Sequence, residues 1–558
     1  MPPKMRCCSY TSSSAPKCSS TEHFTFRVAH EHGVISGFFA LMCQSVDCEG
    51  ESSTVIISLL LRGGSVRKPS DIFDRDREWE SLTRFVNDSA PGATLGVVSG
   101  RRRQGKSFLL EAVCEVADGF YFSAQEATDA ESLAAIGEAL SRHLDLVAPF
   151  TPAHWGQVID VLLRMGIEGN TPVVIDEFPY LARANPALPS IIQGAYAPRR
   201  AERTASRTRL LLCGSALSFM GSLLSGNAPL RGRASLELPI ATLNYRRAAE
   251  FWGITDARLA LLVHSVVGGT PAYRTEMIRY DAPADLADFD DWVVRAILSP
   301  GSPMFLEARY LLAEEPDLRD GALYHSVLNA IATGNTGRGG IAGHVGRPVN
   351  TLAHPLTVLE DAGFITRDPD AFRANRSDFR IAEPLVTFYH AIMRPFWPQL
   401  TLAADTHRIW QRASHRFASN VIGPHFERIC REWAMLFAQE TTGRNRLGDL
   451  PVQVSSGTVN DPANRTTHEV DVVAIGYAED GRPPLLGIGE AKWNEVMGLG
   501  HLDRLRRLRE LVAAGGKFDV AGMRLLCFSG AGFSEDLQRA ERDGEVELIG
   551  VDELYGRS

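Results

Sequence analysis

A short loop between a strand and a helix constrains this chain more than any other feature. The apolar run Leu95-Gly96-Val97-Val98-Ser99 leads into Gly100-Arg101-Arg102-Arg103-Gln104-Gly105-Lys106-Ser107, and a helix is expected from Ser107 through Leu110 and Val113. The loop fits G-x-x-x-x-G-K-[ST] without a mismatch, in the strand-then-helix setting that gives the pattern its meaning. Its two glycines let backbone N–H groups turn inward around a phosphate. Lys106 adds a point charge for β- and γ-phosphates, and Ser107 a hydroxyl for Mg²⁺. Gly100, Gln104, Gly105, Lys106 and Ser107 are therefore candidate contacts to ATP.

An independent second half lies downstream. Val173-Val174-Ile175-Asp176 is an unbroken apolar run closed by an acid, as expected of a strand buried on both faces. Asp176 is placed to hold Mg²⁺ through water, and Glu177 to polarise an attacking water, which favours hydrolysis over binding alone. Leu210-Leu211-Leu212-Cys213-Gly214-Ser215 reads as another buried strand. Its terminal Ser215 is either a γ-phosphate sensor or a plain turn serine. Arg233, in Pro229-Leu230-Arg231-Gly232-Arg233, is either an arginine finger or an exposed loop arginine. With Gly119–Phe122 as a further strand, strands alternate with helices, which predicts an α/β fold with a parallel, doubly wound sheet.

At 558 residues the chain is too long for one core, so three or four domains are expected. A formal net charge of -9 argues against a general nucleic-acid coat but leaves room for a local basic groove. Five of the nine cysteines fall at Cys7, Cys8, Cys18, Cys43 and Cys48 without CxxC spacing, so a zinc site is not expected there. Cys114, Cys213, Cys430 and Cys527 sit in apolar stretches and read as buried thiols. No run approaches the roughly 20 apolar residues of a membrane span. The expected location is the cytoplasm, with no membrane partner.

These residues resemble the archaeal-type ATPase family within the AAA+/STAND branch of P-loop proteins. The resemblance rests on Phe73–Trp79 (similar to F-x-x-R-E-x-E-L), Val173–Leu181, Asn185-Pro186-Ala187-Leu188-Pro189, and Val267-Gly268-Gly269-Thr270-Pro271-Ala272-Tyr273, which is similar to a G-G-x-P box in a helical lid. It implies a P-loop ATPase domain at 69–240, a helical lid at 241–315 and a winged-helix module at 316–395. In that module Leu323–Thr333, Ile341–Val345 and Asn350–Asp361 read as helices, followed by Phe364-Ile365-Thr366. Asn350 is the expected N-cap, and Pro355 would fall awkwardly beyond the third helix's first turn. Few basic side chains line that helix, so a docking role is favoured over DNA reading. Residues 1–68 carry no clear periodicity and read as an unstructured extension.

The last segment, 396–558, carries a second chemistry. His468–Ile475 and Leu485–Trp493 read as paired strands, and Glu490 and Lys492, two apart, share a face that Asp471 can meet. Two carboxylates and a lysine on one sheet face suit metal-dependent phosphodiester cleavage, with Asp471 and Glu490 on Mg²⁺ and Lys492 positioning water or stabilising charge. This pattern resembles the PD-(D/E)xK nuclease superfamily, many of whose members add a helical glutamate that Glu427 would supply. A half-buried hairpin with an ordinary Glu490–Lys492 ion pair is the bland alternative. Arg504, Arg506, Arg507 and Arg509 on the following helix would face a phosphate backbone or merely solvent. The two functions in view are an ATP-regulated enzyme acting on DNA, with homo-oligomerisation left open, and a STAND-like switch carrying an inactive nuclease-like scaffold. A chain starting at Val66 should be as soluble and hydrolyse ATP as fast as the full length; loss of either in a matched assay would place residues 1–65 within the fold.

Overall fold

The computed structural model describes residues 67–557 apart from 316–320, 403–404 and 440–444, and before them only the backbone of Val28–His30 and Gly33–Ile35. Those two short strands pair antiparallel as a hairpin in the first of two compact units, Met1–Ser65. The expectation of an unstructured extension otherwise lies outside the described residues. All other described elements belong to the second unit, Val66–Ser558.

The first sheet of this unit contains β1 (Thr94–Ser99), β2 (Phe120–Ser123), β3 (Thr171–Asp176), β4 (Thr208–Gly214) and β5 (Ala234–Pro239), all parallel, in the order β2-β3-β4-β1-β5. Alternate residues feed two separate cores. Leu210 and Leu212 pack with Trp155 and Ile192 on one face. Leu211 and Cys213 pack on the other with Leu82 of α1 (Asp76–Val86) and Leu109 of α2 (Lys106–Val116). Strand β4 is buried along its whole length, as its unbroken apolar run requires. Strand β5 escapes the sequence reading because Ala-Ser-Leu-Glu-Leu-Pro is an edge strand, half buried and half exposed in alternation.

Helices come next, including α3 (Ala257–Val267) and α4 (Met304–Ala313). Then Gly321–Ala332, Arg338–Val345 and Ala353–Asp361 precede a hairpin of β6 (Ile365–Pro369) and β7 (Ser377–Ile381). Two expectations need correction here. Asn350 caps nothing, because it lies in a 3₁₀ turn, Val349–Leu352, that leads into the helix. Pro355 is consequently in the first turn, where its missing N–H has no helical partner to lose.

The final segment holds α5 (Gly423–Leu436), α6 (Leu499–Gly515) and a five-stranded sheet. Its strands β8 (Pro451–Asp461), β9 (Thr466–Gly476), β10 (Leu485–Lys492), β11 (Arg524–Ser529) and β12 (Glu547–Gly550) run in sequence order. The first two pairings are antiparallel, the last two parallel. One face packs Ile488, Leu525 and Leu548 on Leu505 and Leu508 of α6.

The other face joins a much larger core. Phe426, Trp433 and Phe528 are continuous with Phe388 and Leu328 of the middle segment and with Tyr245, Trp252 and Trp292 of the lid. Polar contacts cross the same boundary: Tyr245 donates to the Leu554 carbonyl at 2.6 Å and Trp410 Nε1 to Asp290 at 2.8 Å. The Tyr245 ring meets Tyr555 edge-on at 5.1 Å. Segments that read as lid, middle module and C-terminal domain thus share one interior. Tyr245→Ala should cost about 3–5 kcal/mol and lower one cooperative transition, with hydrogen exchange rising in both lid and C-terminal sheet. Exchange confined to the lid would mean the two cores are independent.

Candidate functional site

The loop after β1 and the acids after β3 meet at the C-terminal ends of parallel strands, where such sheets leave a crevice. The loop's glycines answer two different needs. A Cβ on Gly100 would sit 2.5 Å from the Ile240 carbonyl oxygen, so only a bare Cα fits. Gly105 has open space around it but a φ of 84°, which only glycine adopts freely. Arg75 clamps the loop from outside: buried, it donates to the Gln104 carbonyl at 3.3 Å and the Ala241 carbonyl at 2.7 Å. Ala272 N–H adds a bond to the Arg103 carbonyl at 3.4 Å, so the Gly268–Tyr273 box reaches the loop too.

The expected contacts assemble. Lys106 is buried and donates to the Arg101 carbonyl at 2.8 Å; burial also lowers its pKa. Ser107 donates to Asp176 Oδ2 at 2.5 Å, and Tyr121 to the same oxygen at 2.7 Å. Burial works to raise the Asp176 pKa, but hydrogen bonds from Cys213, Ser107, Tyr121 and the Glu177 N–H outweigh it and leave it below the usual value. A hydroxyl beside an ionised carboxylate is a donor pair that suits a hard divalent cation such as Mg²⁺. Glu177 takes a left-handed φ of 50°, and both its oxygens lie 3.1 Å from the Ser215 hydroxyl. Ser215 is therefore at the site. Gln104 is buried beneath the loop, its Oε1 against Gly100.

Arg233 is not at the site. It immediately precedes β5, at the end of the sheet opposite the loop, and bonds the Tyr196 carbonyl at 3.4 Å. Among the arginines of 198–209, Arg209 is buried on the Asp88, Ala90 and Gly92 carbonyls, and Arg200 pairs with Asp160 at 2.6 Å.

Sequence reasoning missed the acids that meet the loop's own arginines. Arg101 pairs with Glu383 at 3.3 Å, Arg102 with Glu314 at 3.4 Å and Arg103 with Glu307 at 3.0 Å. Glu383 and Glu307 are 4 % and 0 % exposed. Burial pushes the Glu307 carboxyl up to about 7, against the pull of Arg103. No local signal marks these acids, since each lies more than 200 residues from its partner.

In the C-terminal sheet, Glu490 and Lys492 pair at 3.1 Å. Arg504 of α6 takes the same Glu490 oxygen, Arg507 pairs with Asp461, and Arg506 bonds Asp503 at 2.7 Å, so these three helix arginines hold the chain's own acids. Asp471 comes to the Glu490–Lys492 pair across the β9–β10 pairing, whose register of Val473 on Ile488 and Val472 on Gly489 brings it to Glu490. A bulge sets Asp471 and Val472 against Ser456 alone, breaking the two-residue alternation of β9. Asp471 accepts from the Ala491 N–H at 2.9 Å, and Arg431 of α5 bonds its carbonyl at 2.9 Å. Burial and then Asp471 push Glu427 up to about 7. Among the described residues no group of three or more His, Cys, Asp or Glu is placed to hold a metal ion. The four later cysteines are free and buried, as expected. No described helix is long and apolar enough to cross a membrane.

No family model matches the chain. An uncharacterized protein of Methanocaldococcus jannaschii is 24 % identical over 431 residues, covering 76 % of this chain and 88 % of its own. Among solved structures, a Walker-type ATPase of Pyrococcus abyssi matches with TM-score 0.46 and 19 % identity over 58 % of this chain and 97 % of its own. The Aeropyrum pernix ORC2 protein in its ADPNP–ADP complexes matches with TM-score 0.37 and 17 % identity over 62 % and 97 %. At such scores neither likeness carries weight beside the chain's own geometry.

The buried Glu307 has a measurable consequence. Its folded pKa lies above its unfolded one, so the native state holds the proton longer and stability falls as pH rises from about 4.5 to about 7. Glu307→Gln should therefore gain stability relative to wild type by a few degrees in Tm at pH 8 compared with pH 5. A difference independent of pH would show that Glu307 stays ionised throughout.

Proposed function

We propose that the chain binds and hydrolyses ATP as an AAA+-type P-loop protein, and that its nucleotide state controls a C-terminal, metal-dependent nuclease-like domain acting on DNA. One observation carries this reading: Lys106, Ser107, Asp176, Glu177 and Ser215 come together at the ends of parallel strands, on one hydrogen-bonded loop-and-acid cluster. Lys106 would bind the β- and γ-phosphates, and Ser107 with Asp176 would hold Mg²⁺, which supplies charge neutralisation on the phosphates. Glu177, oriented by Ser215, polarises the attacking water.

Control of the C-terminal domain has a physical route. Glu383, paired with Arg101 of the loop, lies against Gly268 at the end of α3. From α3, His264 bonds His425 of α5 at 2.9 Å, and His425 meets Arg428 at 3.2 Å, one residue from Glu427. At that end Glu427 and Asp471 would take the divalent cation, their buried like charges being relieved by it, with Lys492 supplying charge to a phosphodiester. The helices and hairpin of 321–381 read as the winged-helix module in a docking role.

A second reading has its own support. Lys492 and Arg504 both pair with one oxygen of Glu490, Oε1, while its buried Oε2 has no hydrogen-bond partner; that double charge pairing favours a STAND-like switch on an inactive scaffold. Two assays decide. Glu177→Gln should keep ATP affinity while hydrolysis falls by orders of magnitude, and Lys106→Ala should lose ATP. Asp471→Ala should abolish Mg²⁺- or Mn²⁺-dependent DNA cleavage and leave ATP hydrolysis intact. Wild type that hydrolyses ATP but cleaves no nucleic acid with any nucleotide bound would establish the second reading.

A further inference from the structure

The loop carries three arginines where its pattern demands none, and they do not share a role. Arg101 and Arg103 turn to the buried carboxylates Glu383 and Glu307. Arg102 turns elsewhere. Its guanidinium donates to the Tyr180 hydroxyl at 2.8 Å, lies 3.4 Å from Glu314 (which Arg103 also reaches, at 3.7 Å), and with Arg101 lines a pocket that holds Glu177 and Ser215. It is also within electrostatic reach of both Glu177 and Lys106. Lys106 fixes where β- and γ-phosphates bind, and Glu177 fixes where the attacking water stands. Arg102 opens on the same pocket as Glu177 and stands four residues before Lys106 in the same loop, so its guanidinium is placed toward the phosphoryl group in transfer. Arg233, the finger expected from the sequence, is at the far end of the sheet.

Resting on the ATPase reading above, we propose that Arg102 is an arginine finger supplied in cis by the phosphate-binding loop itself, held in orientation by Tyr180 and Glu314. In the step it serves, the water oxygen bonds to the γ-phosphorus as the bond to the β,γ-bridging oxygen breaks. The electron pair of that bond leaves on ADP, and the water proton passes to Glu177 and on to the released phosphate. Arg102 forms no bond. Its planar fork neutralises charge on the γ-oxygens as they separate from ADP.

The test uses the full chain with Arg102→Ala, Arg102→Lys and Glu177→Gln, measuring binding of a fluorescent ATP analogue, single-turnover hydrolysis and trapping of ADP with aluminium fluoride. Arg102→Ala should bind the analogue nearly as wild type does, which also reports that the loop is folded. Its hydrolysis should fall roughly 10³-fold, the low end for an arginine finger, and its aluminium fluoride trapping should disappear. Arg102→Lys should not restore either, because a point charge cannot replace the fork. A mixture of Arg102→Ala and Glu177→Gln should stay inactive. Hydrolysis by Arg102→Ala close to wild type, with Glu177→Gln inert, overturns the role of Arg102 and leaves the ATPase reading standing. Activity regained in the mixture overturns action in cis. Wild type that neither binds nor hydrolyses ATP overturns both.

Discussion

A shared apolar core, from Tyr245 in the lid to Tyr555 near the C-terminus, sets the terms for everything else in the second unit. Three chain segments contribute to it, and their largest side chains are spent there: the lid's Trp252 and Trp292, the middle segment's Phe388, and α5's Trp433 are all fully or almost fully enclosed. Because interiors are close-packed, a shift on one side of such a core is met by its neighbours rather than absorbed. The nucleotide loop touches this assembly through Arg101, Arg102 and Arg103, and the C-terminal sheet forms its far wall. The loop and the C-terminal sheet are thus joined by packing, with polar contacts of Glu383, His264 and His425 within it.

The loop itself is an electrostatic compromise. Three adjacent cations would repel one another if left alone; instead three acids meet them, Glu314 shared by Arg102 and Arg103, and two of those acids are buried. Buried pairs of this kind carry a desolvation penalty comparable to their attraction, so they contribute more to where the loop and lid sit than to net stability. Glu307, raised to about 7 by burial, is the member for which the penalty is most visible. Arg75 completes the arrangement by bonding the Gln104 carbonyl of the loop and the Ala241 carbonyl beyond β5.

The C-terminal sheet resolves a similar tension differently. Lys492 and Arg504 neutralise Glu490, whereas Glu427 is pushed toward its protonated form by burial and by Asp471. The two arrangements adjoin, since Asp471 accepts from the Ala491 N–H between Glu490 and Lys492.

What the sequence by itself determined was whatever depends on neighbours in the chain. The G-x-x-x-x-G-K-S loop, the Asp176–Glu177 pair and the buried β3 and β4 are local: strand, turn and charge follow each other within a few residues, so composition and order suffice. The helix order around Val349–Asp361 was legible as well, although the 3₁₀ turn that makes Pro355 harmless was not. Edge strand β5 hid because half its residues face water. Only the tertiary structure decided which acids meet the loop's arginines, which end of the sheet Arg233 occupies, and how Asp471 stands relative to Glu490. Those outcomes turn on contacts between residues tens to hundreds of positions apart, which leave no periodic trace in a sequence.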